Sequence, residues 1–376
     1  MSNFTIQLEQ SDLMAVLNKV SLALPAKTNK PAFEGIFIQS ASDGRISFHA
    51  ENDEHLAVTD TIQQMIGEEG TAVVPGKMFQ EICRKLPAGE VKLAFDDRAV
   101  KITAGKAKVN LALIAESYPL TTMDTTNGIS IKFPSGEFKK ALAMVGVCIG
   151  HDEARQVLTG MKMAVKNGIA AIVCLDGFRM GLYKIKADSE KDANAIVPGT
   201  TLNALQKILP DNGDVEVTVL PTATMYKVNS TLLTSTSLQG DYPDYNAILP
   251  TSFKTQVRIE NTAELNEACN RAQIIARDAK NSLLKFDFND DGIIIEANGT
   301  SSGANSNISE SVSADMIGEG MRIAFNEKYI TQACRGMDSD SIVLNLNTPL
   351  TPMVITSPES DDKLYLVLPV RESTSM

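Results

Sequence analysis

The 376-residue sequence predicts an α+β fold made of three copies of one unit, each with two helices packed on antiparallel sheets. Three observations carry this reading. Residues 73–87, VVPGKMFQEICRKLP, return as residues 196–210, IVPGTTLNALQKILP, and in pattern as residues 323–337, IAFNEKYITQACRGM. Gly44, Gly168 and Gly292 follow one another at intervals of 124, and Tyr118-Pro119 returns at the same interval as Tyr242-Pro243. Each interval also opens the same way, with alternating strand periodicity followed by helical periodicity. A period this long marks repeated domains rather than a solenoid. The units are expected at 1–123, 127–250 and 253–376, and the joints MDTTNG (123–128) and LPTSF (249–253) are too short to act as flexible tethers.

The elements follow in order. FTIQLEQSDLMAVLNKV reads as a strand and then a helix that buries Leu13, Val16, Leu17 and Val20. Its counterparts bury Phe138, Ala141, Leu142 and Val145 in repeat two, and Leu265, Ala268, Cys269 and Ala272 in repeat three. Ser11, Ser135 and Thr262 stand where an N-cap oxygen would accept from the first free amides. Next come hairpins at SDGRISFHA, KNGIAAIVC and DDGIIIEAN, where glycine after Asp or Asn supplies the positive φ of a tight turn. The second helix of repeat one carries Met78, Phe79, Ile82, Cys83 and Leu86 on one face, with Lys77, Gln80 and Arg84 opposite. Leu202, Leu205 and Leu209 repeat that apolar face, as do Tyr329, Ile330, Ala333 and Met337. A closing hairpin then alternates Val91, Leu93 and Phe95 inward, matched by Val215, Val217 and Val219 and by Ile342, Leu344 and Leu346.

Composition narrows the function. There is no apolar run near membrane length and no charged-then-apolar leader in MSNFTIQLEQ, so a cytoplasmic protein is expected. The five cysteines show no CxxC spacing and read as buried thiols, with no structural metal and no cofactor. The phosphate-loop, dinucleotide, HExxH and GxSxG motifs are missing. His151-Asp152-Glu153 and Asp176 are the residues around which an enzyme cleft would have to form. Adjacent helix-end residues point apart, however, and Asp176 matches Asn52 and Asn298 in the other repeats, which suits an Asx turn better. The alternatives to a non-catalytic assembly are such an enzyme, or a monomeric interaction scaffold.

Net charge is −11, which by itself disfavours nucleic acid. Its distribution is more informative: the six helical stretches together carry +6, which leaves −17 elsewhere. That implies a cationic face made by helices and an anionic exterior made by strands; the alternative is that Lys and Arg simply favour helices, and +6 alone does not decide between them.

The four motifs LDGFRM (175–180), DYPDYNAILP (241–250), AFNEKYI (324–330) and LVLPVR (366–371), in this order over three repeats, resemble the bacterial β sliding clamps. The resemblance implies a head-to-tail homodimer, a ring of six domains lined by helices, through which double-stranded DNA passes without sequence-specific contact. It implies as partners the replicative DNA polymerase, the clamp loader and other clients carrying QxxLF-type peptides, with no membrane and no catalysis. The peptide pocket would comprise Leu158, Leu175, Gly177, Phe178, Arg179, Met180, Pro243, Ile248, Asn326, Tyr329, Leu366, Leu368, Pro369, Val370 and Arg371. Phe178 stands where many relatives have histidine, and Ala247 where some have arginine. Lys27 and Arg155 would face DNA. Val109 and Leu111 would lie on an edge strand at the dimer joint, with Ile274 and Ile275 as its apolar plug. The tail 372–376 is expected to lie across the pocket.

Overall fold

A computed structural model describes residues 3–64, 67–121, 123–277, 279, 282–301 and 304–371. Each repeat builds two four-stranded antiparallel arrangements, to which repeat three adds the short strand Asp315–Ile317 beside Thr255–Ile259. The opening sheet combines the first strand with the three that follow the second helix; in repeat one the order is Phe4–Glu9, Glu90–Phe95, Ala99–Ala104, Ala107–Ala112. The hairpin sheet lies in sequence between the two helices; in repeat one the order is Gly70–Pro75, Gly35–Ser40, Arg45–Glu51, Ala57–Gln63. Gly44, Gly168 and Gly292 have φ of 84°, 75° and 125°, the conformation their turns were expected to need.

The chain separates into two compact units, and the division runs through repeat two. The first unit is Met1–Lys139, Lys166–Gly168 and Ala187–Gln239; the second is Lys140–Val165, Ile169–Lys186 and Gly240–Met376. In the first unit, the hairpin sheet of repeat one continues into the opening sheet of repeat two. Ala57–Gln63 pairs with Thr231–Thr236, Asp60 opposite Thr231, to make eight continuous strands. The buried carboxylate of Asp60 locks this seam, accepting from Lys19 Nζ at 3.0 Å, Ser230 Oγ at 2.7 Å and Thr231 Oγ1 at 3.0 Å.

The second unit repeats the device. Arg179–Lys186 pairs with Ser360–Val367, Met180 opposite Leu366, so the hairpin strands of repeat two run on into the opening sheet of repeat three. The hairpin sheet of repeat three is ordered Met321–Asn326, Leu283–Asn289, Gly292–Ser301, Ala304–Val312. Ala107–Ala112 in the first unit and Ala304–Val312 in the second are among the strands that end their sheets without an outer neighbour among the described residues.

The helices bury the faces that their periodicity predicts, with one exception. In Gly76–Lys85 the buried side chains are Phe79 and Cys83, while Met78 is 56% exposed because it precedes the stripe by one position. Capping also departs from expectation. Ser11 lies inside the helix Gln10–Val20, Ser135 Oγ donates to the Pro210 carbonyl, and the Thr262 hydroxyl is buried with no partner among the described residues. The first amides are satisfied by tertiary contacts: Gln10, Ser135 and Thr262 donate to the carbonyls of Gly89, Gly213 and Asp340 at 2.9, 2.8 and 2.9 Å. Each acceptor is in the loop after the second helix of the same repeat. All five cysteines are buried free thiols, and burial pushes Cys83 and Cys334 up to about 12.

Candidate functional site

The residues expected to form the peptide site all fall in the second unit, where a turn organises them. Asp176 closes it, its Oδ1 accepting from the amides of Phe178 and Arg179 at 2.9 and 3.0 Å, and Gly177 supplies φ of 92°. The expected Asx role is therefore observed here, and Asn52 does the same for Glu54 and Leu56. Asn298 does not, because it continues a strand opposite Asn307.

The turn sends two neighbouring side chains in opposite directions. Phe178 is 59% exposed, whereas Arg179 is buried. Arg179 Nε donates to Asp176 Oδ2 at 2.9 Å and Nη1 to Gln332 Oε1 at 2.5 Å, and its guanidinium carbon lies 4.4 Å from the centre of the Tyr329 ring. A buried guanidinium needs such partners, and removing one would leave a charge without compensation. Phe178 stacks on the same tyrosine, with centroids 6.3 Å apart and planes 24° off parallel. Asn326 caps the helix Glu327–Gly336 by accepting from Lys328 and Tyr329, which holds Tyr329 beside the turn. Burial raises the Tyr329 hydroxyl above its ordinary range; the Asp176 charge adds to this and Arg179 opposes it.

Beneath this polar corner lies an apolar floor. Leu158, Leu175, Met180 and Leu366 form one buried cluster with Val173, Leu182 and Val354, and Tyr242, Tyr245, Leu249 and Leu368 pack against it. Residues 366–371 tie the floor to its rim. Leu366 pairs opposite Met180, the Leu368 amide donates to the Phe178 carbonyl at 2.8 Å, and Val370 donates to Ala324 at 2.8 Å. Pro369 follows Leu368 in the same run. Pro243, Ile248, Val370, Arg371 and Gly177 are exposed around the cluster. Exposed apolar side chains beside a buried apolar cluster suit an extended peptide with hydrophobic anchors. Sequence reasoning missed Gln332 and Val354. Gln332 was accessible in principle, being three residues beyond Tyr329 on the same helical face. Residues 372–376 are outside the described set, so their expected path across the pocket is a separate question.

The DNA-facing candidates lie in different units. Lys27 is exposed in the loop after Ser21–Ala23, and Lys77 Nζ supports that loop by donating to the Ala26 carbonyl at 3.1 Å. Arg155 is exposed, but its Nε is 3.7 Å from Asp152, which offsets part of its charge. The same aspartate caps the short helix Glu153–Thr159, and His151 beside it is exposed. Among the described residues no group of three or more His, Cys, Asp or Glu is arranged to hold a metal ion.

At the edges, Val109 is half-buried and Leu111 faces its own core, so the strand Ala107–Ala112 offers a neighbour its backbone rather than these side chains. Ile274 is 67% exposed on the helix Thr262–Ala276, and Ile275 is half-buried. That helix is bound to the other open edge by a bidentate pair, Arg271 to Glu310 at 2.7 and 2.9 Å.

Comparison with known proteins agrees along the whole chain. Residues 2–123, 132–244 and 246–371 match the N-terminal, central and C-terminal domains of the DNA polymerase III beta subunit. The chain is 30% identical to the beta sliding clamp of Bacillus subtilis, covering 98% of this chain and 99% of that one. It is 28% identical to the beta sliding clamp of Staphylococcus aureus, covering 99% of this chain and all of that one. Among solved structures it is similar to the Bacillus subtilis DNA polymerase sliding clamp, with a TM-score of 0.91 at 27% identity over 99% of this chain and 100% of that one. The fold of the Thermotoga maritima DNA polymerase III beta subunit is also similar, with a TM-score of 0.90 at 22% identity over 98% of this chain and 100% of that one.

Proposed function

The chain belongs to the DNA polymerase III β-subunit family, the bacterial β sliding clamps, and from that premise we propose that two copies close head to tail into a six-domain ring around duplex DNA. The pattern of sheets carries the proposal. At both internal junctions the hairpin sheet of one repeat runs on into the opening sheet of the next. The hairpin sheet of repeat three and the opening sheet of repeat one are the two halves of a third such junction, and each stops at an open edge. A second copy supplies the missing half of each by pairing Ala304–Val312 with the partner's 107–112 strand. Ile274 and Ile275 cover that joint. Isologous pairing would bring together identical edges that the internal junctions never join; head-to-tail pairing reproduces them.

The ring acts in the cytoplasm by retention rather than by catalysis. A closed ring cannot leave a duplex sideways, so weak phosphate attraction from residues such as Lys27 is enough, and strong attraction would hinder sliding. The apolar floor around Met180, with Phe178 and Tyr329 at its rim, takes the Leu-Phe end of a client's QxxLF-type peptide, tethering the replicative polymerase or the clamp loader. The test is topological. Protein loaded on a circular plasmid should remain bound in salt that abolishes binding to short duplex, and should leave when the plasmid is cut once. Equal retention on cut and uncut plasmid would refute encirclement.

A further inference from the structure

Met78 departs from the pattern of the helix that carries it: at the third position of Gly76–Lys85 it is 56% exposed. Counted from their N-caps, Pro75, Pro198 and Asn326, the three second helices place Met78, Thr201 and Tyr329 at the same position. The other two stand beside a neighbouring repeat. Thr201 is buried in the helix Gly199–Ile208, and Thr200 before it donates through Oγ1 to Glu54 Oε2 of repeat one at 3.5 Å. Tyr329 stacks on Phe178 and carries Arg179 over its ring, both from repeat two. In each case the start of a second helix meets the turn at the end of the preceding repeat's hairpin. Glu54 lies in the turn after Arg45–Glu51, and Phe178 in the turn after Ile169–Leu175.

Of the three repeats, the first supplies such a helix start with no hairpin before it, and the third such a hairpin end with no helix after it. The hairpin end of repeat three is flanked by a cavity of about 690 Å³, lined by Asn298, Gly299, Thr300, Asn305, Ser306 and Asn307. The helix Thr262–Ala276 lies against one wall of it. A Cβ on Gly299 would come within 2.3 Å of the Ile275 carbonyl, and Ile274 before it is 67% exposed. Among the described residues no charged side chain lines the cavity. Its walls offer amides and hydroxyls, which both donate and accept.

We propose that this cavity is a third seat of the same kind and that a second copy of the chain fills it. The inference rests on the ring proposed above. In that ring the start of the partner's helix 76–85 enters the cavity between Thr300 and Asn305, and the partner's Met78 packs on Ile274 and Ile275. The fit is chemical as well as positional. Methionine is unbranched and adapts to an irregular apolar contact such as two isoleucines at a helix end. Pro75, the N-cap of that helix, offers no side-chain cap, so its first amides are open to the asparagine oxygens. Lys77 in the same turn meets no opposing cation among the residues that line the cavity. The seat is incomplete in either copy alone.

Sedimentation velocity on the intact chain over a dilution series tests the seat through a double-mutant cycle. Met78→Ala should raise the dimer dissociation constant about tenfold or more with thermal unfolding unchanged, since more than half of the side chain is open in the single chain and is covered at two joints. With Ile274→Ala already present, the same change should have an effect about threefold smaller or less, because the two side chains touch. On the cavity side, a chain carrying Met78→Cys and Thr300→Cys should be linked into a covalent dimer by a short bis-maleimide, and Met78→Cys alone should not, the five native thiols being buried. A parent that stays monomeric would overturn the ring itself. A dimeric parent indifferent to Met78→Ala, two alanine effects that multiply in full, or a dimer that the reagent fails to link would overturn this seat and leave the ring standing. Met78→Ala that weakens binding to short duplex DNA and not the dimer would overturn it too, by turning the helix start toward DNA.

Discussion

Replacing Ile274 by alanine separates folding from assembly. In the single chain this side chain is 67% exposed, so its loss should shift the free energy of unfolding by no more than about 0.5 kcal/mol. In the proposed ring it would be covered. Complete burial of an isoleucine contributes about 1.5–3 kcal/mol, and two-thirds of that, roughly 1–2 kcal/mol, remains to be gained at each joint. The ring has two identical joints, so alanine should weaken the dimer by about 2–4 kcal/mol, roughly 30- to 1,000-fold. The alanine methyl retains part of the contact, which favours the lower end. Sedimentation velocity over a dilution series measures the dimer constant. Thermal unfolding, at a concentration where variant and parent are both monomeric, measures the fold. An unchanged dimer constant with an unchanged fold would remove Ile274 from the joint. A large loss of monomer stability would show that its exposure had been misread.

Phe178→Ala should weaken a labelled QLSLF-type peptide roughly five- to tenfold in fluorescence anisotropy, because the exposed ring offers the peptide's aromatic residue a contact of about 1 kcal/mol, while loss of its own stack on Tyr329 should lower melting only slightly. Unchanged affinity would place the peptide elsewhere. Met180→Lys looks from the sequence like a clean pocket variant, but Met180 is fully buried in the floor, so this change should lower the melting temperature by destabilising the second unit. On short duplex DNA, Lys27→Ala should reduce the slope of log affinity against log salt by about 0.9, and Arg155→Ala by less because Asp152 already pairs with it. A Lys27→Ala slope equal to the parent's would mean that Lys27 does not touch phosphate.

Much of the fold was legible because periodicity and turn chemistry are local. The stripes Leu13, Val16, Leu17, Val20 and Phe138, Ala141, Leu142, Val145 are buried as their spacing requires. The turn at Asp176-Gly177 needs only its own residues, an acceptor for two amides and a backbone free to adopt positive φ. The candidate site was legible as a set of residue types, through its resemblance to a family, but its geometry was not. Nothing local says that Arg179 turns inward to Asp176 and Gln332 while Phe178 turns out, because Gln332 is 153 residues away.

The amino-acid sequence by itself determined the threefold repeat, the helix and strand faces, and the turns, each set by contacts within a few residues. Tertiary structure alone decided what depends on groups distant in the chain. One amide at the start of each opening helix donates to Gly89, Gly213 or Asp340, and in the third the side-chain cap is Asn261, one residue before the expected Thr262. Leu175 and Glu51 occupy equivalent strand ends, yet one floors an apolar cluster and the other is buried among histidines. Burial costs a carboxylate far more than a leucine, so the same scaffold position joins an apolar cluster in one repeat and needs polar partners in the other.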